Sequence, residues 1–518
     1  MRRKPLEAVT VADPGPRETE LKFLIDREGL ARFHALPGFA LPGGATRLRS
    51  VYFDTPRGDL WAAGVSLRVR EAAGAFVQTV KRGGSSDGPT RGEWEHPVAS
   101  SRPDLSALAK TPAAGVLDGH EAKLQAVFST TVRRTTWVWR RGSGAVELSL
   151  DEGDIRAGRR TASIRELELE LKAGASSLLF ELARQLIEAV PLRLSFASKA
   201  DRGHRLCRGE PSQPIKAEKA EIPPEMSASA AFRRVARGCL AHTSANAELL
   251  LRQKRNGEAL HEMRVGLRRL RAALSAFRPL LAKRGLGRVE GETKWLAGEL
   301  DGARDLDVFI GSTFGPASDR APREPGLVAL GERLLKARSD AYDRALAAIE
   351  SPRMSRLLLE TAGWIEAGAG SAGGDPALAA MGQEAIHAFA GSALDRLRKA
   401  VRRRGRRFGA LDSRGRHKLR IRVKRLRYAA EFFASAFGAG KRRRRLFSAL
   451  GALQDALGDL NDIAAAPQIA LAAAGGDAEM ALAAGRLIGA REPGEKSAIA
   501  ATARALRAFD GVKPFWRP

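Results

Sequence analysis

The hydrophobic residues follow two different periods along the chain. In about residues 17–205, apolar and polar side chains alternate, which is the period-two pattern of half-buried strands. The segments with this pattern are Glu18–Phe23, Ser66–Arg70, Phe76–Lys81, Arg91–Glu95, Val132–Trp139, Val146–Asp151 and Ile164–Lys172. Helical spacing intervenes near Glu28–Leu36 and Ser176–Ala189. The pattern predicts an α+β domain over residues 17–208.

The second part of the chain changes to helical spacing. Residues 209–226 hold four prolines and several charges, which indicates a linker. From Ser227 onward, apolar residues recur at intervals of three and four. We therefore expect an all-α domain over residues 227–510. The glycine-rich stretch 366–376 divides it into halves of about 227–365 and 377–510.

The polar faces of the strands carry charges of both signs. Glu18, Glu20 and Lys22 share one face of their strand, and Arg68 and Arg70 share another. A solvated outer face would explain one such strand, but it is a weaker explanation for six. If the strands close into a wide antiparallel barrel with covering helices outside, the charged faces line a wet interior. Carboxylates there would hold Mg²⁺ or Mn²⁺, and cationic side chains would hold phosphate oxygens.

These strands resemble those of the CYTH domains, or triphosphate tunnel metalloenzymes. The family signature Glu-x-Glu-x-Lys matches Glu18, Glu20 and Lys22. Further matches follow in family order: YFDT, LRVR ending at Arg70, TVKRG, RGEWE, TVRRTTW, LSLDEG, ELELELK and SKADRG. One motif alone would be weak, but eight in order make a strong signal. The resemblance implies a triphosphate tunnel that uses Mg²⁺ or Mn²⁺.

The resemblance also implies roles for individual residues. The implied catalytic residues are Glu18, Glu20 and Lys22. The implied metal ligands are Glu18, Glu20, Asp151, Glu166, Glu168 and Glu170, and strand parity does not choose among the last three. The implied substrate contacts are Lys22, Arg68, Arg70, Lys81, Arg134, Lys199 and Arg202. Arg134 is preferred to Arg133, because Trp137 and Trp139 face the apolar shell and share the parity of Arg133. The group that activates water stays open.

The helical region repeats itself. HEMRVGLRRLRAAL begins at His261, and HKLRIRVKRLRYAAEFF begins 156 residues later at His417. Downstream, LDGARDLDVF with Asp305 and QDALGDLNDI with Asp459 are 154 residues apart. Two nearly equal offsets indicate a duplication, and we expect two bundles of about four helices each.

Each repeat carries a basic stripe along one helix. Like charges stacked on one face are unfavourable without a counter-anion. The pattern resembles the CHAD domain, a duplicated four-helix arrangement that binds inorganic polyphosphate. By that resemblance, the polyphosphate contacts are His261, Arg264, Arg268, Arg271, His417, Arg420, Lys424 and Arg427. The runs RKAVRRRGRR at 398–407 and KRRRR at 441–445 are further basic segments whose role stays open.

The charge balance agrees with a polyanion as partner. The net charge is +28, and residues 211–518 hold 54 basic against 33 acidic residues. Aromatic residues are sparse among the basic ones, which disfavours nucleic acid. No apolar run suggests a membrane span or a secretory signal, and two cysteines give no disulfide framework. We expect a cytoplasmic protein, with possible association with polyphosphate granules.

The combined reading is a metal-dependent inorganic triphosphatase. It would hydrolyse tripolyphosphate to pyrophosphate and phosphate, and its helical domain would bind polyphosphate. Two alternatives stay open: a polyphosphate-binding scaffold with little turnover, and an adenylyl cyclase acting on ATP. The sequence predicts no oligomeric state.

Overall fold

The computed structural model describes residues 17–37, 39, 45–83, 90–119, 121–210, 213–281, 283–367, 376–490 and 492–517. The chain divides into two compact units. The first comprises residues up to Gln213 together with Ser355–Gly363, and the second comprises Pro214–Met354 and Trp364–Pro518. The expected break at 366–376 falls largely on residues 368–375, which lie outside the described part.

Nine strands form one antiparallel sheet in the first unit. They are β1 (Arg17–Ile25), β2 (Thr46–Asp54), β3 (Val65–Ala72), β4 (Ala75–Arg82), β5 (Thr90–Val98), β6 (Gln125–Arg141), β7 (Gly144–Ala157), β8 (Arg160–Ala173) and β9 (Leu192–Ser195). Their order is β5-β4-β3-β2-β6-β7-β8-β1-β9, and β5 also pairs with β1. The last pairing closes eight strands into a ring, as the charged strand faces predicted. β9 extends the free edge of β1 from Lys22 to Ile25.

Two strands were missed by the alternation pattern. β2 contains the TRLRSVYFD segment, whose last residues Tyr52, Phe53 and Asp54 are buried in succession, so it shows no alternation there. β9 has only four residues, which is too short for a period to register.

Apolar side chains cover the outer surface of the ring. Leu169 on β8 and Leu148 on β7 are fully buried, and α5 (Ser176–Ala189) packs on β1, β7 and β8. The short helices α2 (Asp59–Ala62), α3 (Leu105–Leu108) and α4 (Pro112–Leu117) pack with β3 and β4 in a second apolar cluster. One further helix of this unit is α1 (Arg27–His34). This outer burial leaves the charged faces pointing inward.

One end of the interior is apolar rather than wet. Phe128 and Val132 share the inward parity of Arg134, and they cluster with Ile155 and Ile164 from β7 and β8. Helix α6 (Lys199–Arg208) packs on these strands and adds its own apolar side chains to the cluster. At Gly203 of α6, a Cβ atom would lie 2.1 Å from the ring of Phe128. Helix α6 therefore fills this end of the interior. The charged inward faces of the strands line the rest of it.

The described part of the second unit is mainly helical. The helices that follow the linker are α7 (Ala228–Arg252), α8 (Gly257–Ala276), α9 (Lys283–Phe309), α10 (Gly315–Arg320), α11 (Pro325–Glu350), α12 (Pro352–Glu366), α13 (Pro376–Gln383), α14 (Ile386–Gly405), α15 (Ser413–Phe433), α16 (Lys441–Ala474), α17 (Ala478–Gly489) and α18 (Glu492–Gly511). Ser355–Gly363 of α12 are counted with the first unit. Each half therefore has more described helices than the four that periodicity suggested. Short elements such as α10 and α13 lack the two or three turns that reveal a period.

The duplicated helices meet in the middle of this unit. α8, which carries the first basic stripe, packs against α15, which carries the second. Residues 214–226 have no helix or strand, yet Ile222 is fully buried and its N–H donates to Ser435 Oγ at 2.9 Å. No described helix is long and apolar enough to cross a membrane.

Candidate functional site

Three carboxylates converge in the interior of the strand ring. Asp151 on β7 lies opposite Glu166 on β8, and Glu168 follows two residues later on the same face. One oxygen from each of the three lies within 4.8 Å of the others. Asp151 and Glu166 are completely buried. Such a set of hard oxygen donors is what Mg²⁺ or Mn²⁺ prefers.

Cationic side chains surround the carboxylate triad Asp151, Glu166 and Glu168. Lys199, the first residue of α6, places its Nζ 2.7 Å from Asp151 and 2.9 Å from Glu168, and it also pairs with Glu166. The remaining contacts are Lys22 to Glu168 at 3.1 Å, Arg134 to Asp151 at 2.7 Å and to Glu168 at 2.5 Å, and Arg202 to Glu166 at 3.0 Å. The triad is therefore held inside a shell of four cations.

These contacts keep Asp151 and Glu168 ionised. Burial raises the pKa of Glu168, but Lys199, Lys22 and Arg134 outweigh it and hold that pKa well below the usual range. The pKa of Asp151 is lowered in the same way, mainly by Lys199 and Arg134 against the effect of burial. For Lys22, burial lowers the pKa while Glu168 and Glu166 raise it, with a raised pKa as the result. All of these groups stay charged at neutral pH.

A second group of charged side chains, mainly on β3, β4 and β5, lies apart from the carboxylate triad. Lys81 on β4 pairs with Glu18 and, at 3.2 Å, with Glu93 on β5. Arg68 on β3 lies 3.7 Å from Glu93. Its register partner Tyr52 and the carboxylate of Glu93 raise the pKa of Arg68 against the effect of burial. Glu93 and Tyr52 belong to the RGEWE and YFDT motifs, and their contact with Arg68 emerges only from strand pairing.

Arg70 differs from the other interior cations. Its Nε is buried and has no hydrogen-bond partner among the described residues. Its pKa is lowered to about 10, first by the charge of Arg68 and then by burial and by Arg134. Tyr52 and Glu168 act on Arg70 in the opposite direction, but they do not offset the two like charges and the burial. This part of the interior is therefore suited to a phosphate group.

The structure brings together three of the six expected metal ligands. Glu18 lies with Lys81, and Glu170 pairs with Lys172 at 2.7 Å. Glu20 lies opposite Glu170 in the register of β1 and β8. Lys22, not Glu18, is the residue of β1 opposite Glu168, and four residues of strand span about 13 Å. The alternation of side chains thus predicted which face of β1 points inward. It did not predict that Glu18 lies too far along the strand to reach the triad.

The expected substrate contacts also fall into groups, according to the residues that they contact in the structure. Arg68, Arg70 and Arg134 are near enough for the charges of Arg68 and Arg134 to act on Arg70. Lys199 and Arg202 instead contact the carboxylate triad, as described above. Arg134 is inward, as the position of buried Trp137 on the other face predicts.

In the helical unit, the two basic stripes form one shared cluster. It comprises Arg264 and Arg268 of α8 and Arg420 and Lys424 of α15, which act on one another electrostatically. The buried Nε atoms of all three arginines lack hydrogen-bond partners in the described part of the chain. Asp301 pairs with Arg264, and Asp305 and Asp462 lie near Arg420. We call Arg264, Arg268, Arg420 and Lys424 the central basic cluster.

The central basic cluster disfavours its own charge. Burial and then Arg420, Arg268 and Arg264 lower the pKa of Lys424 to about 7. Burial, Arg304 and Arg268 lower the pKa of His261 to about 4. Mutual repulsion of this kind is relieved when an anion binds.

Four residues of the expected stripes are not members of this cluster: His261, which its charges reach, and three that lie farther away. Arg427 pairs with Glu431 at 3.3 Å, and Arg271 lies beside Arg425. His417 is exposed and its Nδ1 lies 2.8 Å from Asn461 Oδ1. Helical spacing placed them on the stripe, but the crossing of α8 and α15 separates the ends of each stripe from its centre.

Comparison with known families agrees with both units. The CYTH domain model matches residues 16–204, and the CHAD domain model matches residues 234–471. The chain carries a CYTH domain followed by a CHAD domain. The CYTH domain contains the carboxylate triad, and the CHAD domain contains the central basic cluster.

Several known proteins are similar to parts of this chain. An inorganic triphosphatase from Haemophilus influenzae is 30% identical over 164 residues, which is 31% of this chain and 46% of that protein. The chain thus spans about half the length of this curated relative. The CHAD domain from the plant Ricinus communis is 28% identical with a TM-score of 0.49, covering 57% of this chain and 96% of that one. PptA from Streptomyces chartreusis is 20% identical with a TM-score of 0.43, covering 54% and 100%.

Proposed function

We propose that this protein is a metal-dependent inorganic triphosphatase that hydrolyses tripolyphosphate to pyrophosphate and phosphate. The observation that carries the proposal is Arg70, whose buried Nε has no hydrogen-bond partner among the described residues, in a chamber that also holds three clustered carboxylates. A triphosphate would supply acceptor oxygens for Arg70, and its metal would bind the carboxylates. The similarity to an inorganic triphosphatase supports this choice of substrate.

The carboxylate triad fits a divalent cation. Its three residues supply oxygen ligands, and the lowered pKa values of Asp151 and Glu168 keep them deprotonated. A bound Mg²⁺ or Mn²⁺ would neutralise charge on the reacting phosphoryl group. Glu18 and Glu20 stay predictions as further ligands, nearer to β5.

The cations of the chamber would hold the substrate. Arg68 and Arg70 would offer guanidinium forks that match phosphate oxygens, and Arg134 and Lys22 add charge beside Glu168. In the reaction, a water oxygen bonds to the terminal phosphorus, the bridging P–O bond breaks, and pyrophosphate leaves. Because α6 fills one end of the interior, the substrate enters from the other end.

The CHAD domain would bind inorganic polyphosphate through the central basic cluster. The three buried Nε donors and the lowered pKa of Lys424 support an anion at this place. A chain held there would keep the enzyme close to polyphosphate, including polyphosphate granules. The function of the whole protein would then be polyphosphate binding together with triphosphate hydrolysis.

A substrate panel tests the proposal. Purified full-length protein with Mg²⁺ or Mn²⁺ is given tripolyphosphate, long-chain polyphosphate, ATP and thiamine triphosphate. We expect phosphate and pyrophosphate from tripolyphosphate, and loss of this activity in Glu168→Gln. The matched control is Glu152→Gln, because Glu152 is next to Asp151 on β7 and pairs weakly with Arg165 at 3.9 Å. Cyclic AMP from ATP without phosphate release, or binding without turnover, would contradict the proposal.

A further inference from the structure

The two halves of the CHAD domain differ in how they neutralise one pair of arginines. The repeat offset of 156 residues makes Arg269 equivalent to Arg425, and Arg271 equivalent to Arg427. It also makes Ser275 equivalent to Glu431. The offset therefore replaces a carboxylate in one half with a hydroxyl in the other.

In one half, a glutamate neutralises both arginines. Arg269 Nη1 donates to Glu431 Oε2 at 2.8 Å, and Arg427 Nε donates to Glu431 Oε1 at 3.3 Å. Each carboxylate oxygen therefore accepts from a different arginine. The guanidinium of Arg269 also lies over the ring of Phe432 at 4.9 Å. In this half, each of the two arginines therefore has a carboxylate partner.

In the other half, the equivalent carboxylate is missing. Arg271 and Arg425 lie next to each other, and Ser275 stands where the repeat has Glu431. Glu290 is close enough to act on Arg425, but its Oε1 already accepts from Arg278 Nη1 at 2.7 Å. Within the described ranges, no carboxylate lies at salt-bridge distance from Arg271 or Arg425. Burial and the charges of Arg271, Arg278 and Arg422 lower the pKa of Arg425.

Backbone hydrogen bonds hold the surrounding arginines in place. Arg422 Nη1 donates to the carbonyl of Ala400 at 3.2 Å, and Arg396 Nη2 donates to the carbonyl of Ala276 at 2.8 Å. Both bonds involve α14, which contains the RKAVRRRGRR run. The charges of Arg403 and Arg404 in that run lower the pKa of Arg422, together with its burial. The arginine run therefore adds positive potential to a fixed cluster rather than lying apart from it.

We propose that Arg271 and Arg425 form a second anion site, in which a phosphoryl group of inorganic polyphosphate occupies the position that the Glu431 carboxylate occupies in the other half. Guanidinium forks bind phosphate and carboxylate oxygens with similar geometry. The inference rests on the proposed polyphosphate binding and adds a second contact to it.

The repeat supplies a matched test. Ser275→Glu installs the missing carboxylate, and Ser275→Gln adds a side chain of the same size without the charge. Binding of long-chain polyphosphate to the full-length protein is measured by calorimetry for both variants at several salt concentrations. We expect Ser275→Glu to weaken binding about tenfold relative to Ser275→Gln, as for one lost set of charged hydrogen bonds. The slope of log affinity against log salt should also become less steep.

The reverse change tests the same idea without adding bulk. Glu431→Ser frees Arg269 and Arg427, and we expect it to tighten polyphosphate binding, with Glu431→Gln as its control. Equal affinities for Ser275→Glu and Ser275→Gln would overturn the second site. If those two variants differ for single-stranded RNA and not for polyphosphate, the assigned ligand is wrong.

A different variant tests the proposed binding of polyphosphate by the central basic cluster. Arg264→Gln combined with Lys424→Gln removes charge from the central basic cluster and leaves Ser275 unchanged. If that variant binds polyphosphate as the wild type does, while Ser275→Glu weakens binding, the second site stands and the central cluster is not the main contact. If the wild type does not bind polyphosphate, both proposals are overturned.

Discussion

Binding of polyphosphate to the CHAD domain should take up a proton at Lys424. The pKa of this residue is about 7 in the free protein, against 10.5 for an ordinary lysine. The difference corresponds to a free-energy cost of roughly 5 kcal/mol for keeping Lys424 charged in the folded protein. This is an upper value, because solvent screens a half-buried ammonium. A bound polyphosphate replaces the repulsion of Arg420, Arg268 and Arg264 with attraction. The pKa of Lys424 should therefore return toward its ordinary value in the complex.

The sign of the pH dependence follows from this difference. Between about pH 7 and 10, the complex holds the proton and the free protein has lost it. Affinity for polyphosphate should therefore fall as pH rises through 7, by up to about tenfold per pH unit. The stability of the free protein should depend on pH in the opposite direction, because the unfolded state binds more protons than the folded state over this range. Its stability should rise with pH there.

Calorimetry at pH 8 in two buffers of different ionisation enthalpy measures the proton uptake. We expect about one proton per site for the wild type. Lys424→Arg is the matched control, because an arginine stays charged and the terminal phosphates of the ligand titrate equally in both experiments. Equal proton uptake by the wild type and Lys424→Arg would refute the reasoning.

Three further predictions concern the CYTH domain. Glu168→Gln should abolish metal-dependent phosphate release and weaken binding of Mn²⁺, because it removes one member of the carboxylate triad. Arg70→Met should raise the KM for tripolyphosphate at least tenfold, yet raise the melting temperature of the free protein, because an unpaired buried cation is removed. Gly203→Ala should lower stability by about 1–3 kcal/mol in chemical denaturation, since the new methyl group would lie 2.1 Å from Phe128.

Each of these three predictions has an outcome that would contradict it. Unchanged turnover in Glu168→Gln would remove the triad from the mechanism. A lower melting temperature for Arg70→Met would mean that Arg70 stabilises the fold rather than awaiting a ligand. For Gly203→Ala the control is Gly287→Ala on α9, where no atom lies within 4 Å of the new Cβ. Equal stability of the two alanine variants would show that α6 is not tightly packed on Phe128.

Strand parity predicted the inward face of the CYTH domain but not its partners. Glu18, Glu20 and Lys22 all point inward, and the period of two suffices for that statement. Which carboxylate reaches Glu168 depends on the register between β1 and β8, and register is set by pairing between segments nearly 150 residues apart. Lys199, expected as a phosphate contact, lies at the start of α6 among three carboxylates, and its role toward phosphate stays a prediction.

The apolar end of the interior could not be predicted from parity either. Val132 and Arg134 have the same parity, so alternation alone treats both as lining a wet chamber. Only the docking of α6 distinguishes them, because it buries Val132 and leaves Arg134 facing Asp151. A strand period identifies a face, and a covering helix decides which part of that face is dry.

The duplication in the CHAD domain gives more information once its two halves are compared within the fold. Similar residues at an offset of 156 suggested two equivalent basic stripes. In the structure the stripes merge at their centres, whereas their ends at Arg271 and Arg427 meet different neighbours. Since Glu431 pairs with the arginines at one end and Ser275 offers no charge at the other, the duplication is not electrostatically symmetric. A polyphosphate chain bound at the centre would therefore extend toward Arg271 and Arg425, where an anion is missing, rather than toward Glu431.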